Sequence, residues 1–120
     1  MSKTILIVSR RYDLAAIAKE LLKFECFEIK YFSCANDCLI FFNKYSENVL
    51  GVISDDSLSQ GFSGLEMIQE LHEIDLVPSI LIVQKGELVK VDYHGSIILI
   101  KEEPYNVRSM VNEFIQSIFD

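Results

Sequence analysis

The residues best suited to chemistry stand at the ends of two apolar runs. One run leads into the acidic pair Asp55 and Asp56, whereas an earlier run leads into Ser9 and Arg10. An aspartate at the carboxyl end of a strand is well placed for phosphoryl or metal chemistry, but Mg²⁺ also needs other oxygen ligands nearby. The other run offers a hydroxyl and a guanidinium instead. The pattern therefore favours a carboxylate site that makes a poor cage for Mg²⁺.

Five segments predict strands that would position these residues. Four are continuous runs rich in Ile, Val and Leu, which is typical of strands buried on both faces of a sheet. They are residues 4–8, 49–53, 79–83 and 96–100. The fifth, residues 26–31, alternates apolar and polar side chains and predicts an edge strand with one solvated face.

The segments between the strands show the three-and-four spacing of amphipathic helices. Ser33 is the expected N-cap of the second helix and Ser63 that of the third. The apolar positions are Leu14, Ile17, Leu21 and Leu22, then Ala35, Cys38, Leu39 and Phe42, then Leu65, Ile68 and Leu71, and finally Val107, Met110, Val111, Phe114 and Ile118.

This order of elements predicts an α/β fold with right-handed parallel crossovers, a flavodoxin-like, doubly wound (βα)5 three-layer sandwich. Its five-stranded parallel sheet would have the order 2-1-3-4-5, which brings the carboxyl ends of the first and third strands together at a switch point. Ser9 and Asp55 should therefore be neighbours. The connection at residues 84–95 barely reaches the length of a parallel crossover, so the fourth helix is expected to be short or absent.

Composition limits the class of protein. A chain of 120 residues, half of them hydrophobic, fits one globular domain spanning residues 1–120. Its formal charge of −7 opposes contact with nucleic acid and favours a protein partner. The amino-terminal apolar run is too short for a signal-peptide core or a membrane span, so a cytoplasmic protein is expected.

The three cysteines are expected to be reduced. Cys34 and Cys38 lie four residues apart on a predicted helix, a spacing that suits two metal ligands, but the two histidines lie in unrelated segments. We therefore interpret the cysteines as small apolar residues and predict no metal site from them.

Four segments together resemble the receiver domain of two-component response regulators, the CheY-like family. They are residues 5–8, 52–55, 64–67 and 98–101, and the likeness spans nearly the whole chain. The resemblance implies that Asp55 is the phospho-acceptor, because it directly follows the apolar strand. Asp56 is the rival, since the family's usual loop spacing counted back from Gly64 ends there. Lys101 matches the family lysine that reaches toward the phosphoryl group.

Several positions depart from the family pattern. The acidic pair that binds Mg²⁺ in receivers falls on Ser9 and Arg10, and the small hydroxyl residue after the fourth strand falls on Gln84. The switch aromatic falls on Ile98, and the proline that follows the lysine is displaced to Pro104. These departures imply a degenerate receiver, a pseudo-receiver, with no catalytic residue and no cofactor.

The leading hypothesis is thus a non-enzymatic signalling module of a two-component phosphorelay, independent of phosphorylation and acting on a histidine kinase or an output protein. Self-association as a homodimer is compatible with it. One alternative is a working receiver phosphorylated on Asp55 by a histidine kinase. Another is a flavodoxin-like domain that binds a small anion through Arg10, Arg11 and Lys101.

Two further questions stay open at the level of sequence. Arg10 or Arg11 either pairs with Asp55 as a fixed cation or points into solvent. On the second helix, Ile40 or Phe41 is exposed as a partner-binding patch, or both pack against neighbouring aromatic residues.

Overall fold

The computed structural model describes residues 3–10, 27–55, 58, 63–83 and 97–101. The strands in this part of the chain are β1 (Thr4–Val8), β2 (Glu28–Phe32), β3 (Val49–Asp55), β4 (Ser79–Val83) and β5 (Ile97–Lys101). The α-helices are α1 (Ala35–Tyr45), which a 3-10 turn follows at Ser46–Asn48, and α2 (Gly64–Ile74).

The strands form one parallel sheet in the order β2-β1-β3-β4-β5. This order is the one predicted, and the α/β, flavodoxin-like class is confirmed. β2 lies at an edge and is partly exposed along its length, whereas every residue of β1 is buried. The alternating pattern of β2 and the continuous apolar run of β1 thus reflect their places in the sheet.

Strand boundaries depart slightly from the predicted ones. β2 begins and ends later than predicted, and β5 is shifted by one residue. β3 extends through Asp55, which pairs with Ile82 of β4. The aspartate is therefore the last residue of the strand. Ladder hydrogen bonds continue past the apolar run, because pairing requires only backbone groups.

Both faces of the sheet are buried at the central strands β1 and β3. On one face the strands pack against α1 and α2 in a single apolar cluster. Its principal members are Leu6, Val8, Val52 and Leu81 from the sheet, Ala35, Cys38 and Phe42 from α1, and Met67, Ile68 and Leu71 from α2. The alternate strand residues Ile5, Ile7 and Ile53 point to the opposite face and are also fully buried.

The two helices begin differently. The Ser63 side chain accepts a hydrogen bond from the Glu66 backbone N–H at 3.0 Å, so the predicted N-cap of α2 is confirmed. The predicted cap at Ser33 is wrong. Cys34 occupies the N-cap position of α1 in an extended conformation and makes no capping bond with its side chain. Asp37 in the first turn gives this helix a favourable interaction with its dipole instead.

The aromatic side of α1 is packed rather than exposed. The ring of Phe41 lies 5.7 Å from that of Phe32 and 4.9 Å from that of Tyr45, centroid to centroid. Ile40, its neighbour, is exposed. Of the two residues, Phe41 is therefore packed against aromatic neighbours and Ile40 is the exposed one.

Three predictions fall outside the described residues. They are the first helix near residues 14–22, the connection at residues 84–95 and the last helix near residues 107–118. Among the helices of the described part, none is long and apolar enough to cross a membrane.

Candidate functional site

Ser9 and Asp55 meet at the carboxyl edge of the sheet. β1 and β3 are paired with Val8 opposite Ser54, so the next residue of each strand emerges at the same place. The Ser9 hydroxyl donates a hydrogen bond to Oδ2 of Asp55. Ser9 is fully buried and Asp55 is 5% exposed. The structure thus brings together two of the predicted site residues in a nearly closed environment.

Tyr31 supports Ser9 from the edge strand. Its phenolic O–H donates a hydrogen bond to the Ser9 carbonyl oxygen, and the Ser9 N–H donates to the Phe32 carbonyl at 3.0 Å. The main chain of Ser9 is therefore held by β2 while its side chain reaches β3. Tyr31 was not predicted as a site residue. The sequence signal that could have identified it is the position of Tyr31 near the end of the strand beside β1. A partly buried tyrosine hydroxyl there needs a hydrogen-bond partner.

Gly64, the first residue of α2, packs directly on the backbone of Asp55. A Cβ atom at position 64 would lie 2.0 Å from the Asp55 carbonyl oxygen and 2.8 Å from the Ser54 hydroxyl oxygen. That hydroxyl donates to the same carbonyl at 2.8 Å. Only glycine fits here, so the start of α2 fixes the backbone of Asp55. In the sequence, Gly64 belongs to the receiver-like segment 64–67, but that pattern does not indicate a contact with Asp55.

Arg10 lies beside the site but is exposed to solvent. The Asp55 carboxylate accepts a hydrogen bond from the neutral hydroxyl of Ser9. For Arg10, this arrangement favours the alternative in which the guanidinium is solvated. Arg11, which the same hypothesis included, lies outside the described residues.

The remaining predicted site residues are only partly described. Asp56 and Gln84 lie outside the described residues. Lys101 is the last residue of β5 and is paired with Val83. Its backbone therefore lies at the same edge of the sheet as Asp55, with β4 between β5 and β3.

The described residues fit Mg²⁺ poorly. They supply one carboxylate, from Asp55, and one neutral hydroxyl, from Ser9, and the two are already bonded to each other. Magnesium prefers an octahedron of oxygen ligands that includes one or two carboxylates. In the part of the chain that the structure describes, no three His, Cys, Asp or Glu side chains are grouped so that they could hold a metal ion.

The second cysteine of the pair at the start of α1 lies in the core. Cys38 is buried, and this burial raises the pKa of its thiol to about 12, with a smaller contribution from the neighbouring Cys34. The structural interpretation of Cys38 as a small apolar core residue is therefore supported.

Comparison with solved structures places this site in a known architecture. No protein-family model matches the chain, and no curated protein matches its sequence. A CheY-like response regulator receiver domain from Methylobacillus flagellatus matches with a TM-score of 0.75 at 21% identity, over 98% of this chain and 99% of that one. A response regulator receiver protein from Sinorhizobium medicae matches with a TM-score of 0.74 at 17% identity, over 98% and 95% of the two chains.

The chain has the receiver fold. The resemblance drawn from the sequence is thereby confirmed at the level of architecture. The receiver fold also occurs inside a much larger protein, because this chain matches Francisella novicida lysine decarboxylase LdcF with a TM-score of 0.70 at 11% identity. That match covers 99% of this chain and 18% of the decarboxylase. Function must therefore be argued from the residues at the carboxyl edge of the sheet.

Proposed function

We propose that residues 1–120 form a single cytoplasmic signalling module of the receiver type, which is not an enzyme and acts through protein contacts. In this proposal Asp55 is not phosphorylated in a Mg²⁺-dependent way. The observation that carries the proposal is the hydrogen bond from Ser9 to the buried carboxylate of Asp55.

A cation bound at Asp55 would need ligands from the neighbouring residues. The resemblance to receivers puts acidic residues at positions 9 and 10, where this chain has a serine and an arginine. A serine hydroxyl is neutral, and the Arg10 side chain is exposed. Among the described residues, no three acidic, histidine or cysteine side chains are grouped so that they could offset the loss of a divalent cation's hydration shell. This supports a site that does not depend on Mg²⁺.

Phosphoryl transfer to Asp55 would also make demands on the site. During phosphoryl transfer, negative charge on the transferred group must be stabilised by metal ions or fixed cations in the site. The hydroxyl of Ser9 instead occupies one oxygen of the acceptor carboxylate. This bond holds Oδ2 in a buried contact and makes the carboxylate a weaker nucleophile toward a phosphoryl donor. The arrangement supports a structural role for the carboxylate.

The partner is best sought among proteins. The formal charge of −7 makes this chain repel nucleic acid, so a histidine kinase or an output protein of a two-component pathway is the expected partner. Homodimerisation remains compatible with the proposal.

The test uses a small-molecule phosphoryl donor. The full chain is incubated with acetyl phosphate and Mg²⁺, and its intact mass is followed over time beside that of a receiver domain that the donor phosphorylates. We expect the mass of this chain to stay unchanged. A stoichiometric gain of one phosphoryl group, mapped to Asp55 or Asp56 and absent from the Asp55→Asn or the Asp56→Asn variant, would establish a working receiver instead.

The anion-binding alternative has its own signature. A ligand that binds the folded state raises the unfolding temperature, because it stabilises that state by RT ln(1 + [L]/Kd). Stabilisation of the chain by inorganic phosphate that is lost in the Arg10→Ala variant would favour this alternative. We expect phosphate to have no such Arg10-dependent effect.

A further inference from the structure

A groove of about 350 Å³ lies between the outer surfaces of α1 and α2. It is lined by Leu39, Ile40 and Asn43 from α1 and by Glu70, Glu73 and Ile74 from α2. Ile40 is 68% exposed and Ile74 is 45% exposed. The core contacts of both helices use other faces, so these two isoleucines are not needed for packing within the described chain. The two exposed isoleucines line the same groove and are available for contact with a partner.

The charge of this groove is acidic. Glu70 and Glu73 line it, and Glu66 continues the acidic face toward the start of α2. No lysine or arginine occurs among the six lining residues or anywhere in α2. An apolar floor with a negative rim is complementary to an apolar side chain flanked by positive charge.

We infer that this groove binds a basic amphipathic helix of a partner protein. Apolar side chains one turn apart on that helix would pack on Ile40 and Ile74, and flanking Lys or Arg side chains would face Glu70 and Glu73. This is the helix-in-groove mode of recognition, in which anchors spaced three or four residues apart supply the apolar contact.

Charge disfavours the other occupants. A second copy of this chain bound through the same groove would bring two acidic rims together, because an isologous pairing uses the same patch on both subunits. Nucleic acids and anionic membrane surfaces share the negative sign of the rim. The inference names the partner class for the protein contacts proposed above and rests on that part of the proposed function.

The test is a selection from a displayed library of helical peptides with randomised surface positions, using the full 120-residue chain as the target. No phosphoryl donor is present, so the outcome is separate from that of the acetyl phosphate experiment. We expect enriched peptides with apolar residues three or four apart and flanking Lys or Arg. Binding should perturb the backbone amide NMR signals around Ile40 and Ile74.

Matched variants locate the contact. Ile40→Ser and Glu73→Lys should each weaken binding of an enriched peptide by about tenfold, as expected for central interface residues. Leu76→Ser and Glu47→Lys change exposed residues outside the lining and should leave affinity within about twofold. All four positions are exposed, so the variants should keep the parent unfolding temperature.

Three outcomes would overturn the inference. One is a selection that yields no peptide sensitive to Ile40→Ser, and another is enrichment of acidic peptides. The third is a dimer in sedimentation that Ile40→Ser dissociates, which would assign the groove to a second copy of the chain.

Discussion

Ser9 and Asp55 join the ends of two adjacent strands through one hydrogen bond. A buried carboxylate is costly unless donors satisfy it, and the Ser9 hydroxyl is such a donor. Tyr31 and Gly64 add to the same arrangement, since one holds the Ser9 carbonyl and the other lets α2 approach the Asp55 backbone. At the scale of single residues, the buried pair of Ser9 and Asp55 is fixed by contacts from β2 and α2.

Removing the Ser9 hydroxyl tests this role. Ser9→Ala leaves the carboxylate of Asp55 with one donor fewer and should lower the free energy of unfolding by about 1–3 kcal/mol. Urea denaturation measures the change. Because Asp55→Asn removes the charge that the hydroxyl satisfies, the double variant should be less destabilised than the sum of the single variants. Additive losses would show that the two side chains do not interact in solution.

At the scale of elements, the termini of α2 are fixed by specific side chains. Ser63 caps its start, and His72 near its end places Nε2 3.0 Å from the Val77 carbonyl oxygen and 3.2 Å from the Ser79 hydroxyl oxygen. These contacts connect the helix to the start of β4. The helix that positions Gly64 against Asp55 is therefore held at both ends.

The two serines before the helices provide a matched pair. Ser63→Ala removes a capping bond and should lower the free energy of unfolding by about 1 kcal/mol, whereas Ser33→Ala removes an exposed side chain that is not a cap. Thermal or urea unfolding of both variants checks the difference. Equal losses, or a larger loss for Ser33→Ala, would contradict the assigned cap positions.

His72 gives the stability a defined pH dependence. Burial lowers the pKa of its imidazole below the ordinary 6.5, although the hydrogen bond to Val77 opposes this shift. As pH falls below 6.5, the unfolded chain takes up a proton that the folded chain does not, so this contribution to stability is lost with falling pH. Above 6.5 it is constant.

The measurement is the free energy of unfolding of the parent and of His72→Gln across this pH range. We expect the parent to lose stability relative to the variant as the pH falls below 6.5. If the difference in the free energy of unfolding between parent and variant did not change with pH, or if the parent gained stability on acidification, the imidazole of His72 would not be buried as described.

The sequence predicts the strands of this fold better than its details. Long apolar runs bounded by polar residues identify β1, β3, β4 and β5, and the order of the strands is that of the flavodoxin-like topology which their alternation with helices indicates. The cap at Ser33 was wrong because the first helical residue depends on where the backbone turns, which composition does not specify. The adjacency of Ser9 and Asp55 followed from topology. Topology did not predict the contacts of Tyr31 and Gly64, since these depend on side-chain direction and on how closely α2 approaches β3.

At the scale of the whole molecule, the proposals concern two surfaces. The carboxyl edge of the sheet carries the Ser9 and Asp55 pair, and the outer faces of α1 and α2 form the acidic, apolar groove. The fold itself does not decide between signalling and other roles, because a piece of a decarboxylase shares it. The proposed function therefore depends on the loss of cation ligands at one edge and on protein contacts elsewhere.

The most direct test of this account is a calorimetric titration of the chain with Mg²⁺, beside a Ser9→Asp/Arg10→Asp double variant. The variant restores the acidic residues that the resemblance to receivers implies at these positions. We predict no saturable binding to the parent chain at millimolar Mg²⁺ and clear binding to the variant, whose added carboxylates would complete a set of oxygen ligands with Asp55. Saturable binding of Mg²⁺ to the parent chain, as tight as to the variant and abolished by Asp55→Asn, would contradict the account.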